Sequence, residues 1–329
     1  MLNLQLHSMR YEVKVESFDS IAGYRQDKQS RLKWDCIFVL PGWLESWWQS
    51  FGADDLCLLS VRDDDKVIGI VPLRIKGKQA RFIGDSDVCD YLDFVVAPER
   101  EADFFKTVID YLRHQGVEHL NLAHVSKGSV VWAHLLNETA PDRGYDVVID
   151  QEDVLVEMDL PDTWEAYLAS LSTKQRHEVK RKLNKLASAG NANYRVCDNA
   201  EAIDTFLALF SRNKEEKAAF MTPQMQLFFI SLAQSMAEIG ILKIGVLELD
   251  ALPVAAVMCF DYDGVVYLYN SAYDAKYGVL SVGLISKIMC IKDSIEKGTK
   301  SFNFLKGAEE YKYRLGGVEI PVYNCRIDI

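Results

Sequence analysis

A glycine-bearing loop between a strand and a helix is the part of this sequence best suited to holding a phosphate. The segment Gly264–Asn270 is β-branched and aromatic, and the loop Tyr277–Gly283 separates it from an apolar stripe of helical spacing that begins at Leu284. The first N–H groups of a helix have no partner inside it, and the helix dipole favours an anion there. Ser281 can cap this helix, and Gly283 lets another group approach the backbone. The loop therefore indicates either a phosphate site or only a tight strand-to-helix turn.

A carboxylate interrupts an apolar segment in the first half of the chain. The run Asp90–Val96 alternates as a strand would, which places Asp93 among apolar neighbours. A carboxylate in such surroundings needs a partner or has a raised pKa, and a raised pKa suits a general base. An Asp on an edge strand that accepts hydrogen bonds from a loop would explain the same pattern. Both interpretations stay open at this point.

These residues must be positioned by two successive sets of strands and helices. In the first half, the patterns predict strands over Tyr11–Val15, Leu56–Arg62, Val67–Ile75, Arg81–Gly84, Asp90–Val96, Val117–Leu122, Tyr145–Asp150 and Val154–Met158. They predict helices over Ala102–His114 and Val130–Glu138. In the second half, they predict a helix that begins with a capping box at Ser172 and Gln175, and further helices over Thr205–Ala218 and Pro223–Ile239. They predict strands over Ile241–Leu249, Pro253–Phe260, Gly264–Asn270, Ser301–Leu305 and Val322–Ile327.

Composition excludes several classes of protein. With 329 residues, 49% of them hydrophobic and 26% charged, the chain has the make-up of one large or two ordinary globular domains. A net charge of −11 argues against general nucleic-acid binding. No apolar run reaches the ~18 residues of a membrane span, and residues 1–10 lack a signal pattern, which predicts a cytoplasmic protein without an integral membrane segment. The seven Cys form no Cys-x-x-Cys pair, so free thiols and no metal site are expected.

A basic cluster follows the capping box and reverses the local field of this acidic chain. It could contact a nucleotide phosphate, an acidic carrier protein or an anionic membrane surface, or it could be a solvated helix face. Its members are Lys174, Arg176, Lys180, Arg181, Lys182 and Lys185.

Three further runs carry a family resemblance. Tyr269–Tyr277, Leu280–Leu284 and Phe302–Gly316 together resemble the C-terminal half of a GNAT-superfamily acyltransferase. The pattern is that of the cellulose-biosynthesis (CelD-like) branch, which is related to the Fem-type peptidyltransferases. The Asp-Tyr-x-Asp piece that ends at Asp93 is similar to the same family. This sequence departs at Asn303, where the family usually has Asp.

The resemblance implies a fold and a division of the chain. An α/β fold is expected, built from tandem GNAT-like units that are each a mostly antiparallel, twisted sheet flanked by helices. Residues 1–155 would form a degenerate N-terminal GNAT-like unit, and residues 156–329 would form the C-terminal GNAT acyltransferase unit.

The resemblance also implies a reaction. A thioester donor, either acyl-CoA or an acyl-carrier protein, would deliver an acyl group to the amine of a small molecule or sugar, as in polysaccharide or envelope biosynthesis. The pantetheine arm of the donor would pair with the strand at Ser271 and Ala272. Its pyrophosphate would be held by the backbone of Leu280, Ser281, Val282 and Gly283.

Roles for individual residues follow from this expectation. Asp93 would be the base or would orient the amine, Tyr311 would protonate the leaving thiolate, and Lys312 would stabilise an oxyanion or a phosphate. The residues expected to contact the substrate are Asp90, Tyr91, Tyr273 and Arg176. Two alternatives stay open: transfer of an aminoacyl group from charged tRNA, as in Fem-type relatives, and a non-catalytic scaffold in an assembly complex.

Overall fold

The computed structural model describes residues 11–213 and 219–329, and the chain divides into two compact units. The first unit is Met1–Glu152 together with Pro321–Ile329, and the second is Asp153–Ile320. The expectation about a signal pattern in residues 1–10 lies outside the described residues, as does the C-terminal end of the helix predicted over Thr205–Ala218.

The first unit contains short helices and a sheet. Its elements in chain order are β1 (Glu12–Val15), α1 (Phe18–Gln26), a 3₁₀ turn (Ile37–Val39), α2 (Pro41–Phe51), β2 (Asp55–Asp63), β3 (Lys66–Lys76), β4 (Gln79–Phe82), β5 (Val95–Val96), α3 (Glu101–His114), β6 (His119–Ser126), a π-helix (Val131–Thr139), α4 (Ala140–Arg143) and the start of β7 (Asp146–Asp159).

The second unit begins within β7 and has longer helices. Its further elements are α5 (Trp164–Ser170), α6 (Thr173–Ala187), β8 (Ala192–Cys197), α7 (Ala202–Ser211), α8 (Pro223–Glu238), β9 (Leu242–Leu249), β10 (Leu252–Tyr262), β11 (Val265–Tyr273), a 3₁₀ turn (Ala275–Leu280), α9 (Val282–Glu296), β12 (Ser301–Lys306), α10 (Glu310–Arg314) and β13 (Val318–Asp328), whose last part belongs to the first unit.

The sheet of the first unit is mostly antiparallel. Strands β1, β2, β3 and β4 pair antiparallel in succession, and β13 pairs antiparallel with β6. Strands β4 and β6 are parallel, and their pairing extends only from Gln79↔His119 to Arg81↔Asn121. The helix α3 connects these two regions and buries Phe104, Phe105 and Val108.

The second unit repeats this arrangement. Strands β8, β9, β10 and β11 pair antiparallel in succession, β11 pairs parallel with β12, and β12 pairs antiparallel with β7. Helix α9 connects β11 to β12 and packs its stripe of Ile288, Ile291 and Ile295 on Phe302 and Phe304 of β12. This burial of apolar surface fixes the helix directly beneath the point where the two parallel strands meet.

Four predicted elements have another form in the structure. The run Asp90–Val96 is a strand only at Val95–Val96, because the Asp93 carboxylate accepts backbone N–H groups from a helix and holds the preceding chain as a loop. Tyr145–Asp150 and Val154–Met158 are parts of the single strand β7. The predicted helix Val130–Glu138 is a π-helix over Val131–Thr139. Strand β8 and helix α10 had not been predicted at all. The α/β fold class, with mixed sheets flanked by helices, is confirmed.

Candidate active site

Strands β11 and β12 pair at their start and then separate. Their parallel register runs from Val265↔Ser301 to Tyr267↔Asn303 and ends there. Beyond that point β11 continues to Tyr273 while its other edge stays paired with β10, up to Ala255↔Tyr273. The β12-facing edge of β11 therefore has no partner strand after Tyr267 within the described residues. The space beside this unpaired edge, called the opening below, has peptide groups of β11 along one wall.

Both strands are irregular where the opening begins. In β11, Leu268 is opposite Cys259 and Asn270 is opposite Met258, so Tyr269 is the extra residue of a β-bulge. In β12, Leu305 has a left-handed backbone with φ of 62°, which is uncommon for a side chain of this size. The Asn303 Oδ1 atom accepts a hydrogen bond from the Leu305 N–H at 2.8 Å and supports this bend.

Lys312 fixes the end of β12. Its side chain is 2% exposed, and its Nζ donates to the carbonyl oxygens of Leu305 at 3.0 Å, Lys306 at 2.6 Å and Gly307 at 3.0 Å. The carboxylate of Glu309 lies 2.9 Å from the same Nζ. An ammonium has three N–H donors, and here they have three carbonyl acceptors. The contacts of Lys312 are therefore those of a structural cation that fixes the chain at the end of β12.

The N-terminus of α9 lies at the end of β11, as the sequence predicts. Ser281 occupies the N-cap position in a left-handed conformation with φ of 60°, but its side chain makes no capping hydrogen bond. Instead, its Oγ accepts from Nζ of Lys182 at 2.8 Å. Nζ of Lys185 donates to the Val279 carbonyl at 2.8 Å. Two cations of α6 therefore lie beside the turn that leads into α9, where the free amide groups of the helix attract anions.

An aromatic ring and a buried lysine complete this end of the opening. The Tyr273 ring packs against the backbone of Gly283. Lys287, which is 8% exposed, donates from Nζ to the Gly283 carbonyl at 2.9 Å and lies 5.0 Å from the centroid of the Tyr311 ring. Burial, and then the charge of Glu309, raise the pKa of Tyr311 well above its usual value. The loop Leu280–Gly283 is thus linked to Tyr311 through a single side chain.

The remaining predicted residues of the second unit lie at the edges of this arrangement. The Ser271 N–H donates to the Oδ1 atom of Asn270 at 2.8 Å. Ala272 is buried and pairs with Ala256 of β10. Arg176 is half-buried in the first turn of α6, next to the confirmed capping box of Ser172 and Gln175.

Asp93 lies in the first unit, in the loop that also contains Asp90 and Tyr91. Its carboxylate accepts hydrogen bonds from the N–H groups of Phe94 at 2.9 Å, Val130 at 2.9 Å and Val131 at 3.2 Å. Burial raises the pKa of Asp93 to about 7, although these three donors act in the opposite direction. Asp93 thus lies in a loop and caps the π-helix, so it has both the raised pKa of the first interpretation and the backbone partners of the second.

The first unit has an opening of its own where β4 and β6 separate. A cavity of about 430 Å³ is lined there by residues that include Arg81, Asp85, His124 and Glu152. His124 has a left-handed backbone with φ of 59°, and its Nδ1 lies 2.8 Å from the Glu152 carboxylate. The lining has both signs of charge and lacks the glycine-bearing helix N-terminus of the second unit.

Sequence patterns alone did not single out four residues that shape the opening. Lys182 and Lys185 were members of a basic cluster, but the loop they contact is 99 and 94 residues away. Lys287 could have been noticed as a cation three residues after Leu284, on the apolar side of α9. Glu157 of β7, whose carboxylate contacts Asn303, carried no sequence signal.

The comparisons with known proteins agree with this geometry. Residues 173–313 match the family model of the acetyltransferase (GNAT) domain. The second unit carries a GNAT domain. This match confirms the GNAT resemblance. No curated protein sequence matches the chain.

Solved structures are similar over almost the whole chain. FemX shares 11% identity with a TM-score of 0.65, covering 97% of this chain and 97% of FemX. A conserved protein of unknown function from Bacteroides thetaiotaomicron shares 12% identity with a TM-score of 0.57, covering 96% of this chain and 99% of its own. The C-terminal domain of a proposed lysylphosphatidylglycerol synthetase from Agrobacterium fabrum shares 13% identity with a TM-score of 0.54, covering 86% and 87%. At these identities the likeness shows the fold alone.

A metal site and a membrane-spanning helix are both absent from the part of the chain that the structure describes. Within residues 11–213 and 219–329, no cluster of His, Cys, Asp and Glu has the arrangement of a metal site. No helix in this part of the chain combines the length and the apolar character that a membrane crossing needs.

Proposed function

We propose that the GNAT domain transfers an acyl group from a thioester donor, acyl-CoA or an acyl-carrier protein, to the amine of a small molecule or sugar. Polysaccharide or envelope biosynthesis is the setting we propose for the reaction. The observation that supports this function is the separation of β11 from β12 beside the N-terminus of α9. The opening offers an unpaired strand edge at one end and an anion-binding helix end at the other.

A pantetheine arm matches such an opening in chemistry. It carries two amide groups, which can pair with the free edge of β11 past Tyr267, near Ser271 and Ala272. Its phosphate end would then meet the amides of Leu280–Gly283, and the helix dipole favours a negative charge there. Lys182 and Lys185 add positive charge beside the same turn.

Tyr311 is the residue we assign to the leaving group. Acyl transfer breaks a C–S bond, and the thiolate that leaves must gain a proton. The Tyr311 hydroxyl makes no hydrogen bond to any described residue, and its raised pKa keeps it protonated at neutral pH. The contacts of Lys312 support a positioning role through β12 in place of the oxyanion role that the resemblance suggested.

The residues of the first unit stay predictions. Asp93 as base or amine orienter, and Asp90 and Tyr91 as substrate contacts, rest on the family resemblance. The carboxylate of Asp93 already accepts three backbone N–H groups, so a base role would require it to release one. Arg176 and Tyr273 remain proposed substrate contacts of the second unit.

Titration calorimetry with CoA, acetyl-CoA, adenosine 3′,5′-bisphosphate and pantetheine tests the proposal. We expect CoA to bind, and each half of the molecule to bind more weakly than the whole, because the strand edge and the helix end would each hold one half. An acyl-carrier protein loaded with a pantetheine thioester serves as the second donor. Absence of binding by both donors would contradict the transferase function.

A further inference from the structure

A carboxylate lies one strand away from the start of the opening. Glu157 of β7 is directly opposite Asn303 of β12. Asn303 is in turn opposite Tyr267, the last residue of β11 that pairs with β12. The neighbours of Glu157 along β7, Val156 and Met158, belong to the apolar core, so Glu157 points to the other face of the sheet. Glu157 itself is half-buried.

Asn303 connects this carboxylate to the bend in β12. Its Nδ2 donates to Oε2 of Glu157 at 3.2 Å while its Oδ1 accepts from the Leu305 N–H. The two contacts together determine which atom of the amide is which. An Asp at 303 could accept from Leu305 but could not donate to Glu157, and it would place two carboxylates in contact. The amide at 303 therefore suits a chain that carries its carboxylate at 157.

Glu157 has no cationic partner within the part of the chain that the structure describes. None of the ion pairs there includes it, and its neighbour on β12 is the neutral Asn303. The charged group that acts on it is Asp159 of the same strand. Burial, and then the charge of Asp159, raise the pKa of Glu157 above its usual value. A half-buried carboxylate without a cation is a place where an ammonium group would be stabilised.

We propose that Glu157 binds the ammonium group of the acceptor and removes its proton, which makes the β7–β12 edge of the opening a site for primary amines. This inference rests on the proposed transferase function, and it leaves Asp93, whose carboxylate already accepts three backbone N–H groups, the role of amine orienter and not that of base. The ionised Glu157 takes one proton from the ammonium and passes it to solvent. The amine nitrogen then forms a C–N bond with the thioester carbonyl, and the C–S bond breaks when the adduct collapses. The nitrogen of the adduct loses its second proton to solvent, and Tyr311 gives its own proton to the thiolate. Solvent then returns one proton to Tyr311, so the protons balance.

Steady-state kinetics of Glu157→Gln, Asn303→Asp and the matched control Asp159→Asn test the proposal. Acetyl-CoA is the donor, a panel of ethanolamine, glucosamine, spermidine and lysine supplies the amine, and released thiol is the readout. For Glu157→Gln we expect kcat to fall on the order of 100-fold or more, with CoA affinity within about twofold of wild type. Asp159 is exposed, and at a pH well above the pKa of Glu157 the base is ionised with or without the Asp159 charge, so there the Asp159→Asn variant should keep kcat within about twofold.

The pH profile separates a base from a merely structural residue. Activity needs ionised Glu157, so kcat/KM of wild type should fall as pH drops below the raised pKa of Glu157, and this limb should vanish in Glu157→Gln. In Asn303→Asp the limb should move to higher pH, because a second negative charge beside Glu157 raises its pKa further. A structural role predicts no such movement.

The outcomes distinguish this inference from the proposed function. If wild type and Glu157→Gln bind CoA and turn over equally with the same pH profile, Glu157 is not the base and the transferase proposal is unaffected. If wild type binds CoA but acylates no amine of the panel, the amine site is overturned. If wild type binds neither donor, the transferase function and this inference fail together.

Discussion

The Tyr273 ring and the Gly283 backbone are in such close contact that no side chain fits between them. A Cβ atom on residue 283 would lie 2.9 Å from Cδ1 of Tyr273, closer than Cβ atoms approach other heavy atoms in proteins. The glycine at the start of α9 is therefore required by the last residue of β11. Through this contact the strand end and the helix end, which we propose bind the two ends of one donor, have a fixed spacing.

Substitution of Gly283 should disturb both stability and donor binding. For Gly283→Ala we expect a loss of about 1–3 kcal/mol in the free energy of unfolding, because either the ring or the helix must move. Urea unfolding and CoA titration measure the two effects. Gly278→Ala is the control, since its Cβ would meet Tyr273 only at 3.9 Å. Equal behaviour of the two variants would contradict the packing argument, and Tyr273→Leu should relieve the clash in a double variant.

Lys312 should matter more for stability than an ordinary lysine. Lys312→Met removes the donor shared by three carbonyls and leaves Glu309 without its cation, so we expect a loss of at least about 3 kcal/mol. Lys300→Met is the control, because Lys300 is 76% exposed in a loose ion pair and should change stability by less than about 0.5 kcal/mol. A Lys312→Met variant as stable as wild type, with full transferase activity, would contradict the structural role.

Lys182 and Lys185 should contribute to affinity for the phosphate end of the donor. Each change to Ala is expected to weaken CoA binding about three- to tenfold and to reduce its salt dependence, since a cation beside the bound phosphates is lost. Lys180→Ala, on the same helix and exposed, is the matched control. Titration calorimetry at two salt concentrations gives both quantities. If the affinity for CoA is unchanged in Lys182→Ala and Lys185→Ala, these lysines only anchor the loop.

Asp93 should make the stability of the protein depend on pH. Its folded-state pKa of about 7 is above the unfolded value of 3.8, so the folded state binds the proton more tightly. The stabilising contribution is therefore present below about pH 4 and is lost as pH rises through 7. Between these limits we expect a change on the order of 4 kcal/mol that is absent in Asp93→Asn.

Urea unfolding at several pH values between 4 and 8 measures this effect. Asp93→Asn should be less stable than wild type at low pH, because one acceptor for the Val130 and Val131 N–H groups is lost. Asp87→Asn, at an exposed position nearby, should keep the wild-type pH dependence. The same pH slope in wild type and Asp93→Asn would contradict the raised pKa.

Local patterns were sufficient where the determining contacts are local. The apolar stripe of α9 from Leu284 to Ile295 and the capping box of Ser172 and Gln175 each depend on residues within a few turns, and both were predicted. The same holds for the strand pairs on either side of Asp250 and Gly264, which are joined by tight turns with left-handed residues.

Contacts between distant residues decide the rest. The local sequence predicts that Asp93 is part of a strand. In the structure its carboxylate accepts hydrogen bonds from the N–H groups of Val130 and Val131, which no local pattern indicates. Asn303 and Glu157 are 146 residues apart, so no spacing along the chain could reveal that one holds the other. Lys312 reads as a surface lysine because the carbonyls that bury it converge only when Leu305 turns left-handed.

The left-handed turn at Leu305 has a further meaning for any molecule that enters between β11 and β12. Asn303 and Lys312 hold this bend through hydrogen bonds within the domain, so the pairing of the two strands has already ended there before a ligand binds. Binding of a ligand beside β11 breaks no hydrogen bonds between strands, so little of the binding free energy is lost to a conformational change of the protein. The unpaired edge of β11 is therefore available before any molecule binds.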